Sequence, residues 1–289
     1  MILLTGATGV IGSALLRRLT VDGAPVRCLV RDPRRLGDQR VRVQIALGDL
    51  SEPASFRNAL RGVDTVVHLA AAIRDQPRTS IEETNAVATM RLVRAAERAG
   101  SKRFLFFSAM GASLHSRTRF FRAKALAEKA VRESALEHTM FWPSIVYSPG
   151  DPWLTLLERI SYLPAVPVSG SGHALYQPIW AEDVADCVMR VLDGRQADGL
   201  CLAGPETLSY DDIVRTALRA TGRDRPLLHV PLPVVKASLR ALGKLAGQSA
   251  FATWEEAELM EEPMTTGRGT ADPESLGVTP KTMAAVLGG

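Results

Sequence analysis

Cysteine is scarce in this chain of 289 residues: there are three, Cys28, Cys187 and Cys201, and none stands in a CxxC pair. That excludes a disulfide framework and a thiolate zinc site, and leaves three small core residues in a reducing compartment. Histidine is equally thin: the five present are dispersed without metal-ligand spacing, so no metal is expected. No block of five or more like charges occurs, and the net charge of +4 comes from scattered arginines. Nucleic-acid binding is therefore not indicated. Long apolar runs are missing too, and none approaches the length of a membrane span. The first residues, MILLTG, are already a strand running into a glycine turn rather than a leader. The expectation is a soluble, cytoplasmic protein.

What is present is apolar residue, 46% of the chain, in short alternating runs. That suffices for one large domain, or one domain with a smaller lobe. Strand-like runs fall at MILLTG, PVRCLVR, VRVQIALGD, 64–70, 103–108 and TMFWPSIVY (139–147). Helical runs fall between them: 10–20, and about 79–100 with i, i+3, i+4 apolar spacing that stops at Gly100. Strands alternating with helices predict an α/β fold with a doubly wound parallel sheet. After Pro149-Gly150 the segments shorten and prolines multiply. We read residues 1–150 as a dinucleotide-binding domain. Residues 151–289 are read as a smaller lobe that covers the cofactor cleft and is not independent.

TGATGVIG places glycines at 6, 9 and 12, with a strand before and a helix after. Gly6 permits the tight turn, Gly9 lets backbone approach a pyrophosphate, and Gly12 allows close helix–strand packing. The helix from Val10 then offers free N–H groups to phosphates. At the tip of the second strand, where a carboxylate would select NAD(H), stands Arg31, with Asp32, Arg34 and Arg35 after it. A guanidinium pairs well with a 2′-phosphate, so NADP(H) is expected over NAD(H). The other reading gives the ribose to Asp32.

These motifs, with Gly48-Asp49, HLAA (68–71), Asn85, FFSA (106–109), FFRAK (120–124) and WPSIVYSPGD (142–151), resemble an extended or atypical short-chain dehydrogenase/reductase. YQPIWAEDVADCVMRVL and GLCLAGPETLSYDDIVR are similar to the branch typified by the dinucleotide-binding accessory subunit of mitochondrial complex I and its bacterial relatives, with NmrA-like redox sensors and quinone reductases nearby. The resemblance implies that Gly6, Thr8, Gly9, Val10 and Ile11 line the pyrophosphate and that Arg31 meets the adenosine ribose or its phosphate. It implies Asp49 and Leu50 at the adenine, and Leu69, Ala70 and Ala71 beside the adenosine ribose. Ser108, Lys124 and the run Pro143, Ser144, Ile145 would border the nicotinamide and its ribose.

One departure governs the function. The family's acid tyrosine, four residues before the lysine, is Phe120 here. The usual hydroxyl partner falls at Ala109 or Met110; Ser108 serves if the strand slips by one, Ser113 if the loop folds back. His115, in the loop before FFRAK, is the candidate proton donor near neutral pH; the alternative is an exposed loop histidine. His173 and Tyr176 are further cleft candidates, Tyr176 being equally a packing residue. The catalytic candidates are thus Lys124, Ser108 and His115. Lys236, Arg240 and Lys244 recur at i, i+4, i+8 opposite Val235, Leu239, Leu242 and Ala246. That stripe suits a membrane surface or a protein partner, and more commonly a packed helix, so neither partner is indicated. The expected partner is a small-molecule substrate. Two functional classes stay open: an NADP-dependent oxidoreductase acting on a quinone, enone or carbonyl, and a redox sensor, chaperone or assembly factor without turnover. A sugar-nucleotide epimerase or dehydratase is weaker, since that chemistry needs tyrosinate.

Overall fold

The computed structural model describes residues 1–195, 197–246 and 253–288, with 240–246 as backbone only. Its centre is a seven-stranded parallel sheet. The strands are β1 (Ile2–Thr5), β2 (Val26–Val30), β3 (Gln44–Leu47), β4 (Thr65–His68), β5 (Arg103–Phe107), β6 (Glu137–Pro143) and, later in the chain, β11 (Gly199–Leu202). Their order is β11-β6-β5-β4-β1-β2-β3. This is the doubly wound arrangement that the alternation of runs predicts.

The strands read as continuous apolar runs because both faces are covered. Leu4, Val67, Leu105 and Phe107 enter one core, while their neighbours Leu3, Val66, Phe104 and Phe106 enter the other. The first core lies under α1 (Val10–Val21). The second lies under α2 (Pro53–Phe56), α3 (Ala88–Arg98) and α4 (Arg119–Arg132).

Two elements differ locally from the sequence reading. The helix expected over 79–100 opens with a π-turn, Glu83–Val87, before α3. The widened turn lets Asn85 donate to the carbonyls of Ala72 and Ile81 at 2.7 and 2.8 Å. The run 139–147 breaks at Ser144 into β6 and β7 (Val146–Tyr147). There the Ser144 hydroxyl donates to Met264 O at 2.6 Å and accepts from Gln177 N at 3.0 Å.

Beyond residue 150 come α5 (Pro152–Ile160), β8 (Val166–Ser169), β9 (Leu175–Tyr176) and β10 (Ile179–Trp180). The chain then returns to the first layer. Helix α6 (Ala181–Leu192) packs in the α1 core, and Arg17 and Arg18 of α1 pair with Glu182 and Asp186 of α6. β11 completes the sheet. The rest comprises β12 (Leu208–Ser209), α7 (Tyr210–Ala220), β13 (Leu227–Val230), α8 (Leu232–Ala246), α9 (Trp254–Leu259), α10 (Ala271–Ser275) and α11 (Met283–Leu287). Among the described residues, the segments after 150 have only two-stranded pairings of their own, β12 with β9 and β13 with β8. In the basic stripe on α8, Lys236 Nζ lies 4.6 Å from the Trp254 ring centroid and so packs against α9. The side chains of Arg240, Lys244, Leu242 and Ala246 lie outside the described residues. No helix among the described residues is long and apolar enough to cross a membrane.

Candidate cofactor cleft and active site

β1 and β4 are neighbours in the sheet, and it is between them that the strand order reverses. Chains leaving the carboxyl ends of two such strands part company, which opens a crevice. The crevice here is a cleft of about 500 Å³. Its floor is the turn after β1. Gly6 has φ 72°, and a Cβ there would lie 2.6 Å from Ala70 N. A Cβ on Gly12 would lie 2.1 Å from Gly6 O, so that glycine sits beneath the turn as a packing requirement. Gly9 is the N-cap of α1, and no side chain caps the helix. The N–H groups of its first turn are thus left for an anion.

Gly6, Thr8, Gly9, Arg31, Asp49, Leu50, Leu69, Ala70 and Ala71 all line this cleft. Val10 and Ile11 do not: they are half-buried against the α1 core. Arg35, noted in the sequence beside Arg31, lines it too, as do Gln76 and Thr79, which the sequence does not single out. Asp32 accepts from Arg34 N at 3.0 Å and Pro33 follows it, so the chain enters a 3-10 turn (Pro33–Val41). Arg35 lies in the first turn of that helix, and both it and Arg31 line the cleft. The same capping bond occupies one Asp32 oxygen. These residues fit a dinucleotide: a glycine cradle and an uncapped helix for the pyrophosphate, and two guanidinium groups at the adenosine end.

The other candidates lie outside the cleft lining: Lys124 on α4, Ser108 just after β5, Pro143 at the end of β6, and the rest in the segments that follow these strands. Lys124 is 3% exposed, and its Nζ donates to Phe107 O at 2.6 Å. The ring centroids of Phe106 and Phe120 stand 5.1 and 5.8 Å from it. It makes no ion pair among the described residues. Burial pulls its pKa down to about 7, against a smaller opposing pull from Glu128. Glu128 is otherwise engaged: it accepts from Ser108 Oγ, from Trp142 Nε1 at 2.7 Å and from Arg132 at 2.8 Å. The Ser108 proton is therefore committed to Glu128 and not available to a substrate. Ala109 and Met110 are buried and carry no hydroxyl. His115 is exposed in the loop before α4, and so is His173 before β9. Tyr176 is fully buried, and its hydroxyl donates to Met260 O at 2.6 Å, a packing role. Pro143 and Ser144 are buried and Ile145 half-buried, with Ser144 serving the lobe contact described above. Among the described residues no cluster could hold a metal ion.

A histidine that the sequence reading passed over as part of HLAA ties the two halves together. His68 ends β4, is 1% exposed, and touches Thr5 Oγ1 (2.7 Å) and Thr89 Oγ1 (2.9 Å). Thr89 gives its own proton to Asn85 O at 2.6 Å, so it can only accept from His68 Nε2. Nδ1 must then accept from Thr5, whose oxygen in turn receives Ala70 N at 3.4 Å. One neutral tautomer thereby aligns the phosphate turn with the cleft wall. Burial first, and the nearby Lys124 charge second, depress the imidazole from 6.5 to about 3. Between these values the unfolded chain binds a proton that the folded protein refuses, so stability is lost as pH falls through the window. From pH 6.5 to 4.5, above most carboxylate titration, the slope contributed should approach about 1.4 kcal/mol per unit. Denaturant unfolding of His68→Gln across that range should show the slope removed; an unchanged slope would contradict the neutral assignment.

Residues 6–194 match the model of a family described as NAD(P)H-binding. The NAD(P)H azoreductase of Xenophilus azovorans is 28% identical over 251 residues, covering 84% of this chain and 82% of that protein. The mouse mitochondrial protein named NADH dehydrogenase [ubiquinone] 1 alpha subcomplex subunit 9 is 27% identical, covering 89% of this chain and 69% of its own length. Among solved structures, the NADPH-dependent quinone oxidoreductase of Escherichia coli in complex with NADPH superimposes with a TM-score of 0.75 at 17% identity. That match covers 100% of this chain and 99% of the other, a likeness of fold. Cleft, glycine turn and sequence match agree: the chain belongs to the NAD(P)H-binding family.

Proposed function

We propose that the protein is an NADPH-dependent oxidoreductase that reduces a small organic acceptor, a quinone or an enone before a carbonyl, without an acid tyrosine. The observation that carries this reading is Lys124: a buried cation with one carbonyl acceptor, no ion pair among the described residues, and the Phe120 ring beside it. A fold gains nothing from such a charge, whereas a binding site does. When bound, the cofactor supplies the hydride. The protein's part is to hold the pyrophosphate on the α1 N-terminus and the ribose on Lys124, and to present an apolar wall, Phe120 and Met110, to the acceptor. The residues from 151 on act as a cover for the nicotinamide end. A fragment 151–289 should show no cooperative melting transition, because its strand β11 and helix α6 belong to the first layer; a cooperative transition would count against the cover.

NADPH is preferred over NADH. Arg31 and Arg35 face the cleft without an ion pair among the described residues, as a phosphate pair needs. Arg31→Ala or Arg35→Ala should each cost about 1–3 kcal/mol of NADPH binding and leave NADH nearly untouched. Calorimetry with both cofactors decides this, and equal affinities in the natural protein would end the claim. Single-turnover loss of NADPH absorbance against quinones, enones and ketones tests the activity itself. The second reading, binding without turnover as a sensor or assembly factor, is favoured by Phe120 and would follow from silence across that panel.

A further inference from the structure

Arg119 opens α4, and its guanidinium gathers carboxylates from three separate segments. It donates to Glu82, just ahead of the π-turn, at 2.8 and 2.6 Å, and to Asp75 at 2.9 and 3.0 Å. Glu255 of α9 stands 3.8 Å away. Beside this hub Arg74 pairs with Glu256 of α9 at 3.6 Å. Arg119 holds the Glu82 carboxyl down to about 2.

The stretch 70–82 has two sides. Ala70, Ala71, Ala72, Gln76 and Thr79 line the cofactor cleft. Arg74 and Asp75, between them, reach α4 and α9. The stretch is a closed loop: Asp75 accepts from Ile81 N at 2.8 Å, and Asn85 clamps Ala72 and Ile81. A push on one side of it must therefore be felt on the other. At its far end, α9 leads into Met260 and Met264, whose carbonyls receive Tyr176 and Ser144. α9 contributes no residue to the cleft lining.

We propose that Arg119 is a positioning residue that couples the docking of α9 to the shape of the cofactor-cleft wall. Nucleotide binding then tightens α9, and a docked α9 tightens the nucleotide. The coupling rests on reading the cleft as the NADPH site. A lone exposed ion pair would contribute little. One guanidinium shared among three carboxylates differs, because its removal leaves Asp75, Glu82 and Glu255 facing one another as like charges. Coupling of this kind is reciprocal: the factor by which nucleotide stabilises the docked helix is the factor by which docking strengthens nucleotide binding.

Amide hydrogen exchange on the full chain, read by mass spectrometry with and without NADPH, tests this. The segments followed are 253–264 and 70–84 in the natural protein, Arg119→Met and Arg119→Lys, with the β1 and β5 amides as a control for intact folding. NADPH should slow exchange in 253–264 of the natural protein at least about 5-fold, the lower end of allosteric coupling. Arg119→Met should abolish that response and weaken NADPH binding by a similar factor, with β1 and β5 unchanged, while Arg119→Lys restores part of both. Calorimetric binding of NADPH with no response in 253–264 would overturn the coupling. So would a response that Arg119→Met leaves intact. Absence of any nucleotide binding would sink the cofactor reading instead. The hub is then judged without nucleotide: Arg119→Met must speed exchange in both segments together, and acceleration of one alone overturns it. If Arg119→Met does not fold, Glu255→Gln with Glu256→Gln breaks the same link from the α9 side and must give the same loss of response.

Discussion

Replacing Lys124 by methionine will raise the melting temperature of the protein and weaken its hold on NADPH, two effects of opposite sign at one position. The ammonium group is almost wholly buried, and its pKa falls from 10.5 to about 7 because burial penalises the charge. At about 1.4 kcal/mol per unit, the penalty is at most ~5 kcal/mol. Methionine matches the stem in length and fits the apolar surroundings of Phe106 and Phe120. A gain of a few kcal/mol corresponds to roughly 5–10 °C in a chain of this size. The pH dependence has a definite sign. Below pH 7 both folded and unfolded chains carry the proton, and the folded one bears the full cost. Between 7 and 10.5 only the unfolded chain carries it, so stability rises with pH and the advantage of methionine shrinks, vanishing above 10.5. Thermal melts of both proteins from pH 6 to 10, with NADPH titrations at pH 7, check the pair of effects. A destabilised Lys124→Met, or one that binds NADPH as before, would show the lysine to be structural.

Ketones should be reduced at least about 100-fold more slowly than quinones of similar size, since a tyrosine acid is worth about 10²–10⁴ in rate and Phe120 has no proton to give. A quinone accepts hydride without needing a strong acid at the same moment; an isolated carbonyl does not. The neighbouring hydroxyl cannot substitute, because Ser108 gives its proton to Glu128. For the same reason Phe120→Tyr should recover less than about tenfold of ketone turnover: the new phenol would sit by Lys124, but the Ser108 hydroxyl is held by Glu128. Single-turnover absorbance traces with matched quinone and ketone acceptors give the ratio. Comparable rates would mean a hidden acid, with the exposed His115 first to be tested by substitution.

The parts of this protein legible in its sequence are those written in neighbouring residues. Apolar runs of strand length between helical stretches specify a parallel sheet covered on both faces, and Leu3 and Leu4 entering opposite cores shows why such runs need no polar alternation. Gly6 and Gly12 announce the tight turn after β1 because no other residue fits the backbone there. Phe120 declares the missing acid by its identity alone. Tertiary structure decided whatever depends on partners far along the chain. β11 and α6 return from beyond residue 178, because β11 pairs with β6 and the apolar face of α6 packs in the core it shares with α1. The Ser108 hydroxyl is engaged by Glu128, twenty residues on. His68 looks like one member of a strand until Thr5 and Thr89 close on its two nitrogens. Lys124 acquires its altered proton affinity from being buried rather than from any spacing in the chain. Local dihedral preference and turn chemistry act over a few residues, whereas desolvation and hydrogen-bond competition exist only once distant segments have been brought into contact.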